Sequence, residues 1–397
     1  MRISTAAVHR EAIKGILDQQ TQLARTQDQV ASGKRILTPA DDPVSAVHIL
    51  ELDRVRAELD QYGRNARTAV ARLNVEEQAL ADSGLLLQRV RELAIQANNA
   101  STAQSDREAI ATELASRVQE LMDIANRTDG SGEFVFSGFA TKTQPFMRGA
   151  SAVNYAGDQG GRQLQIAATQ RIADSHSGFA AFMNIIEGNG TFDTAVNAAN
   201  TGTGVIDVGT VANAAAWVRD TYTLTFTTPT TWQVVNGAAV VVGAGAYTSG
   251  SAITFNGAQI SISGTPAAGD NFTIAASQKE DLFTTLDDLI ATLRMGAATP
   301  ATRAQFATRM SGAIAQLDQG EQHLLNVRAE VGARLSTIDG TQAAHDALSV
   351  ELDRSLSGLR DLDYAEAISR MDRQVLGLQA AQQSYAKISR LSLFDYL

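Results

Sequence analysis

The chain has 397 residues, is 44% hydrophobic but only 6% aromatic, and carries a formal net charge of −10. An acidic balance without clustered Lys and Arg excludes the usual electrostatics of nucleic-acid binding, so no nucleic acid is expected as a partner. The chain has no cysteine, which removes disulfides, thiol catalysis and zinc–thiolate sites together.

The opening, MRISTAAVHREAIKGIL, has neither an apolar core nor a small-residue cleavage site, so no cleaved secretory signal is expected. The longest apolar run, GAAVVVGAGA at 237–246, is far short of the ~20 residues a membrane span needs. No membrane partner is expected.

Taken in chain order, the first zone is helical to about residue 130. Ile16, Leu23, Val30 and Leu37 recur at a heptad stride with Ile13 beside them, while the second seam positions Gln20 and Gln27 are polar. A break, SGKRILTPADDPVSA at 32–46, then interrupts the pattern with Gly33, Pro39, Asp41, Asp42 and Pro43. Neither proline suits a helix interior. Asp followed by Pro is the N-cap and first-turn pattern of a starting helix, so Asp42 reads as a cap rather than as half of a catalytic carboxylate pair with Asp41. Beyond it, Leu52, Leu59, Ala66, Leu73, Leu80 and Leu87 form one seam and Val55, Tyr62, Ala69, Val90 and Ala97 the other. The spacing predicts a helix over 44–98, roughly 80 Å long at ~1.5 Å per residue. A shorter helix follows, with Ile110, Leu114, Val118, Leu121 and Ala125 on one face. GEFVFSGF at 132–139 reads as a strand entering a hairpin on propensity.

Residues 147–277 are rich in Gly, Thr, Ala and Val, and runs such as TYTLTFTT (221–228) and ITFNGAQISIS (253–263) alternate as half-buried strands do. Helical periodicity returns at Phe283, Leu286, Ile290 and Leu293. After GAATP it continues at Met310, Leu317, Leu324, Val331 and Ile338, with His345 at a seam position as a partly buried polar residue. The tail repeats the pattern at Ile368, Met371, Val375, Leu378 and Tyr385. The fold class expected is mainly α with an inserted β-rich domain: long antiparallel helical rods from both chain ends, with the β domain at the tip. The boundaries expected are 1–41 plus 362–397, 42–146 plus 278–361, and 147–277.

No HExxH, Walker, GxGxxG or GxSxG motif occurs, and the five histidines show no i,i+4 pairing. The expectation is a protein that is not an enzyme and uses no metal or cofactor. The outer segments, 3–37 and 365–397, have half-filled apolar stripes. Each fully buried Leu or Ile contributes about 1.5–3 kcal/mol, and ordering each backbone residue costs about 1–2 kcal/mol. Such ends are expected to be ordered against other copies rather than alone.

Five stretches carry a family resemblance: SGKRILTPADDPVSA (32–46), QRVRELAIQANNAS (88–101), GEFVFSGF with TQPF (143–146), VGARLSTID (331–339) and YAKISRLSLFDYL (385–397). The chain resembles the flagellin superfamily, and most closely its hook-associated branch at the hook–filament junction. The resemblance implies a structural subunit of the bacterial flagellum, outside the cell, exported through the flagellar type III channel without a cleaved signal. It implies a homo-oligomeric ring of about eleven copies, with a neighbouring junction protein, flagellin and an export chaperone as partners. Residues 1–41 and 362–397 would line an inner tube, the rods would form the next shell, and 147–277 would face outward. The assembly interface would then be Ile13, Ile16, Leu23, Val30, Leu37, Ile368, Val375, Leu378, Tyr385, Ile388 and Leu391. Gly33, Pro39, Asp41, Asp42 and Pro43 would form the spoke loop between layers. The resemblance also places Arg89, Leu93 and Glu113 where flagellin is read by an innate immune receptor. The alternatives are flagellin itself, disfavoured by the proline-bearing loop and the SLFDYL ending, and a secreted coiled-coil effector, which would want a long apolar hairpin or a basic amphipathic helix.

Overall fold

The structure, a computed structural model, describes residues 5–99, 101–150 and 152–390. The chain divides into two compact units, residues 1–64 with 340–397, and residues 65–339. Two long helices, α2 (Pro43–Ala97) and α5 (Pro300–Arg360), contribute to both.

In the first unit, α1 (Thr5–Ser32) and α6 (Tyr364–Arg390) pack antiparallel. Gly33 lies beside Tyr364, Gln19 beside Gly377, and the rings of His9 and Tyr385 meet edge-to-face at 5.7 Å. The start of α2 and the end of α5 run antiparallel as well, through an Arg56–Asp353 ion pair at 3.0 Å and a Tyr62–His345 ring contact at 5.9 Å. His345 is half-buried against that ring, as its seam position suggested. Leu352 and Leu356 are buried here, while Leu52, Val55 and Leu59 are only half-buried. Two-helix contacts cover one side of each helix and leave the other to solvent, so this core is thin.

The second unit holds the main core. The remainder of α2 packs with α3 (Gln104–Ala125), α4 (Leu282–Arg294) and the remainder of α5. The heptad residues Leu73, Leu80, Leu87, Met310, Leu317, Leu324 and Val331 are all buried in it, joined by Leu114, Leu121, Leu286 and Leu289. Asp281 caps α4 by accepting from the Thr284 N–H at 2.7 Å. Thr299 does the same for α5, accepting from the Thr302 N–H at 3.1 Å with Pro300 in the first turn.

The β-rich region lies within this unit. Short hairpins form from β1 (Phe146–Arg148) with β2 (Val153–Tyr155), and from β3 (Gln163–Gln165) with β4 (Arg171–Ala173). A π-helical turn at Phe179–Met183 leads to β5 (Ile185–Ile186). An antiparallel sheet follows from β6 (Phe192–Val196), β9 (Thr221–Thr228), β10 (Thr231–Val235), β11 (Val241–Ala246) and β14 (Asn271–Ala276), in spatial order β11-β10-β9-β14-β6. A smaller sheet contains β12 (Ala252–Phe255), β13 (Ala258–Ser263) and β7 (Val205–Ile206), with β8 (Thr210–Val211) also on β13. The last strand, β15 (Lys279–Glu280), pairs back with β5. The alternation read in TYTLTFTT buries Tyr222, Leu224 and Phe226 against Phe255, Ile260 and Ile262 of the smaller sheet. Asn256 and Gly257 have φ of 39° and 82°. These positive values are what a tight two-residue hairpin turn demands of its central residues.

One expectation is corrected. GEFVFSGF is a series of turns, not a strand; among its residues only Phe134 forms a bridge, with Thr128. Val135 and Phe136 are both fully buried. A strand would send adjacent side chains to opposite faces, whereas the turn drives both into the same core. The Asp158 carboxylate then holds the turn by accepting from the N–H groups of Phe139 and Ala140, each at 3.0 Å.

Candidate functional site

The crossing loop between α1 and α2 is built from local hydrogen bonds. Gly33 ends α1 with φ of +69°, donating its N–H to the Gln29 carbonyl at 2.9 Å. A positive φ at this place is the usual left-handed stop of a helix. The chain then pairs with the α5–α6 connection. Arg35 N–H donates to the Arg360 carbonyl at 2.7 Å, and Leu362 N–H to the Gly33 carbonyl at 3.0 Å. The Gln29 side chain, buried, donates to the Arg35 carbonyl at 2.6 Å, and the Arg35 guanidinium reaches the Leu359 carbonyl at 3.0 Å. Both chain crossings in this unit are thereby stitched into one short antiparallel bridge.

Asp41 and Asp42 have distinct structural roles. Asp41 accepts from the N–H groups of Leu37 (2.9 Å) and Thr38 (3.0 Å) and from the Thr38 hydroxyl (3.0 Å), and it pairs with the Arg25 guanidinium of α1. Asp42 accepts from the Ser45 N–H (3.0 Å) and hydroxyl (2.6 Å), which makes it the N-cap of α2, with Pro43 in the first turn. The Thr38 and Leu37 N–H groups hold Asp41 below the usual carboxylate range, and the Ser45 hydroxyl and N–H do the same for Asp42. Both stay ionised at neutral pH. Pro39 and Pro43 are exposed, so their contribution is to fix backbone angles rather than to fill a core. Asp363 closes the site by accepting from the N–H of Ala365 (2.9 Å) and of Glu366 (3.2 Å) at the start of α6.

The residues expected to face neighbouring copies are distributed unevenly. Ile13 and Ile368 are exposed at 44% and 45%. Ile16, Leu23, Val30, Leu37, Val375, Leu378 and Tyr385 are half-buried in the α1–α6 pairing and the loop beside it. Ile388 belongs to α6, and Leu391 lies outside the described residues. Among the described residues of α1, the buried ones are polar, Thr26 and Gln29. Sequence reading missed further exposed apolar side chains of this unit: Leu17, Val44, Val47, Leu50, Leu348 and Leu376. Val44, Val47 and Leu50 recur at a spacing of three, a stripe parallel to the seam at Leu52 and Leu59 that was legible in the sequence.

In the second unit, Arg89 is exposed and pairs with Glu113 at 3.4 Å, but Leu93 is buried in the helical core at 2% exposure. The three residues therefore do not share one accessible surface: Leu93 lies one turn past the buried Val90 and packs into the same core. Among the described residues, no group of His, Cys, Asp and Glu is arranged to hold a metal ion, and no helix is long and apolar enough to cross a membrane.

Comparison with known proteins agrees with this geometry. The sequence model of the bacterial flagellin N-terminal helical region matches residues 3–141, and that of the C-terminal helical region matches residues 312–397. The flagellar hook-associated protein 3 of Escherichia coli is 23% identical over 396 residues, spanning 100% of this chain and 99% of that protein. The crystal structure of FlgL from Xanthomonas campestris is 35% identical and superposes with a TM-score of 0.73 over 77% of this chain and 99% of that one. The flagellar hook-associated protein-3 of Legionella pneumophila gives 30% identity and a TM-score of 0.76 over 78% and 98%. Helical regions at both ends, a β-rich insertion between them and near-complete coverage of these relatives lead to one conclusion: the chain belongs to the flagellin superfamily, in its hook-associated protein 3 (FlgL) family.

Proposed function

We propose that this chain is a structural subunit of the bacterial flagellum at the hook–filament junction, where it joins the hook side to flagellin and acts without catalysis. The observation that carries this reading is the α1–α6 pair, whose apolar residues Ile13, Leu17, Ile368 and Leu376 face solvent while α1 buries the polar Thr26 and Gln29. A helix pair with that pattern gains by packing against further copies. Residues 1–41 with 362–397 serve as the inner layer, 42–146 with 278–361 as the rod layer, and 147–277 as the outward domain. The hydrogen-bonded loop with Gly33, Pro39, Asp41, Asp42 and Pro43 sets the angle between the first two layers, which a flexible linker could not hold.

In this reading the working form is a homo-oligomeric ring of about eleven copies. A neighbouring junction protein lies on one side and flagellin on the other, and an export chaperone holds the C-terminal arm before secretion. The chain leaves the cell through the flagellar type III channel. Copy number separates this reading from flagellin, since a junction ring needs on the order of ten subunits and a filament thousands. The test is a deletion strain: hooks persist without filaments and flagellin is shed into the medium. The intact gene restores filaments, and a version lacking residues 1–30 does not. Filaments of normal length in the deletion strain would overturn the proposal.

A further inference from the structure

Residues 174–177 form a short segment between α2 and α5 with charged groups on both sides of it. Asp174, fully buried, accepts from the Arg162 Nε at 2.6 Å and lies 3.9 Å from the Arg72 Nε. Arg72 is itself buried and pairs with Asp129 at 2.8 Å and Glu133 at 3.6 Å. The Ser175 carbonyl accepts from Arg334 of α5 at 3.5 Å. His176 comes next, with an exposure of only 10%.

His176 is gripped from both helices. From α2, the fully buried Glu76 accepts twice through Oε1, from the His176 backbone N–H at 2.9 Å and from Nδ1 at 2.7 Å. Its other oxygen, Oε2, is buried without a partner. The adjacent Glu77 is already paired with Arg328 of α5 at 2.6 Å. From α5, two groups of opposite sign approach the same ring nitrogen. Glu330 Oε2 lies 3.0 Å from Nε2, and Arg334 Nη2 lies 2.7 Å from it.

Those two contacts at Nε2 exclude each other. A guanidinium N–H needs a lone pair on Nε2, and a carboxylate needs a proton there. With the ring neutral, Nδ1–H donates to Glu76 and Nε2 accepts from Arg334. With the ring protonated, Nε2–H donates to Glu330 and Arg334 faces a like charge. One proton decides which of two groups on α5 is bonded.

We propose that His176 is a proton-operated latch between α2 and α5 whose catch changes with charge: the imidazolium bridges Glu76 of α2 and Glu330 of α5, and loss of the proton exchanges Glu330 for Arg334 of the same helix. Burial pulls the imidazole toward its neutral form, but the hydrogen bond and charge of Glu76 outweigh it. Arg334 opposes the proton and Glu330 favours it, and the net shift is upward from the ordinary 6.5. The sign follows from linkage. A raised folded-state value means the contribution is fully present below the unfolded value and is lost as pH rises through the folded one. The favoured catch at acidic pH is therefore Glu330.

The experiment is a proton NMR titration of the full chain, with the His176 ring signal assigned by its loss in His176→Gln. Glu330→Gln is expected to move the titration of His176 down in pH, and Arg334→Gln to move it up. Glu330 is 64% exposed, so its substitution leaves the core untouched and keeps the test valid if Arg334→Gln fails to fold. Amide exchange at residues 174–177, corrected for intrinsic rates, is expected to quicken roughly tenfold above the titration, the scale of one charge-assisted hydrogen bond. A His176 signal that titrates at the same pH in wild type and Glu330→Gln, or exchange that does not follow the titration, overturns the latch.

Discussion

Gly33→Ala tests whether backbone geometry fixes the crossing loop. The native φ is +69°, and a Cβ placed there would sit 2.8 Å from the Tyr364 Oη. Left-handed backbone costs an L-residue about 1–2 kcal/mol. The Tyr364 contact adds little, because that side chain is 51% exposed and its ring can swing aside. The expected loss is therefore about 1–2 kcal/mol, confined to the bridge between the α1–α2 loop and the α5–α6 connection. Two amides report it directly: Arg35 N–H, bonded to the Arg360 carbonyl, and Leu362 N–H, bonded to the Gly33 carbonyl. Both should exchange roughly five- to thirtyfold faster, since ~1.4 kcal/mol is a factor of ten. Gly33→Asn should cost less, because Asn tolerates this conformation better. Tyr364→Phe on the Ala background removes the hydroxyl contact but not the φ penalty, so most of the effect should remain. Complete relief by Tyr364→Phe, or unchanged exchange in Gly33→Ala, would refute the argument that the loop is held by its backbone angles.

Removal of residues 1–30 or 370–397 should leave the buried core of residues 65–339 intact, so helical circular dichroism of the remaining chain persists while filaments fail; normal swimming of the truncated strain contradicts the assembly reading. Replacing Pro39 and Pro43 together by Ala should disturb filament attachment more than monomer melting, and a monomer that loses most of its helix would show that the loop serves the fold instead. Phe283, fully buried among Phe146 and Phe182, should cost about 3–5 kcal/mol on substitution by Ala, read by denaturant unfolding. Burial raises Glu280 to about 7 and Asp193 to about 6. The folded chain then binds more protons than the unfolded chain from about pH 4 to 7, so this contribution to stability is greatest at acidic pH and is lost as pH rises through those values. Glu280→Gln should accordingly raise Tm near pH 8 and leave it almost unchanged near pH 4, and a lowered Tm near pH 8 would contradict the burial argument.

Much of this molecule was legible in the order of its residues. The stride of seven through Leu73, Leu80 and Leu87 predicted a helix over 44–98, and α2 runs from Pro43 to Ala97. Asp42 before Pro43 marked its start, and Asp42 caps it through Ser45. TYTLTFTT is strand β9 over Thr221–Thr228, whereas the alternating run ITFNGAQISIS folds back on itself as the β12–β13 hairpin, with its turn at Asn256 and Gly257. These features rest on local rules: helical and strand periods, proline stereochemistry and capping oxygens act within a few residues of one another.

What sequence could not decide were matters of who meets whom. GEFVFSGF has the propensity of a strand, yet the core takes both Val135 and Phe136, and a strand cannot turn two neighbours the same way. Leu93 lies in a motif that reads as a surface, yet the bundle of α2, α3, α4 and α5 closes over it. His176 carries no motif at all; Glu76 and Glu330 reach it from 100 and 154 residues away. Periodicity assigns a side chain to a face of its own helix or strand. Only tertiary packing sets which other face lies opposite, because that depends on contacts distant in sequence whose energies no local pattern encodes.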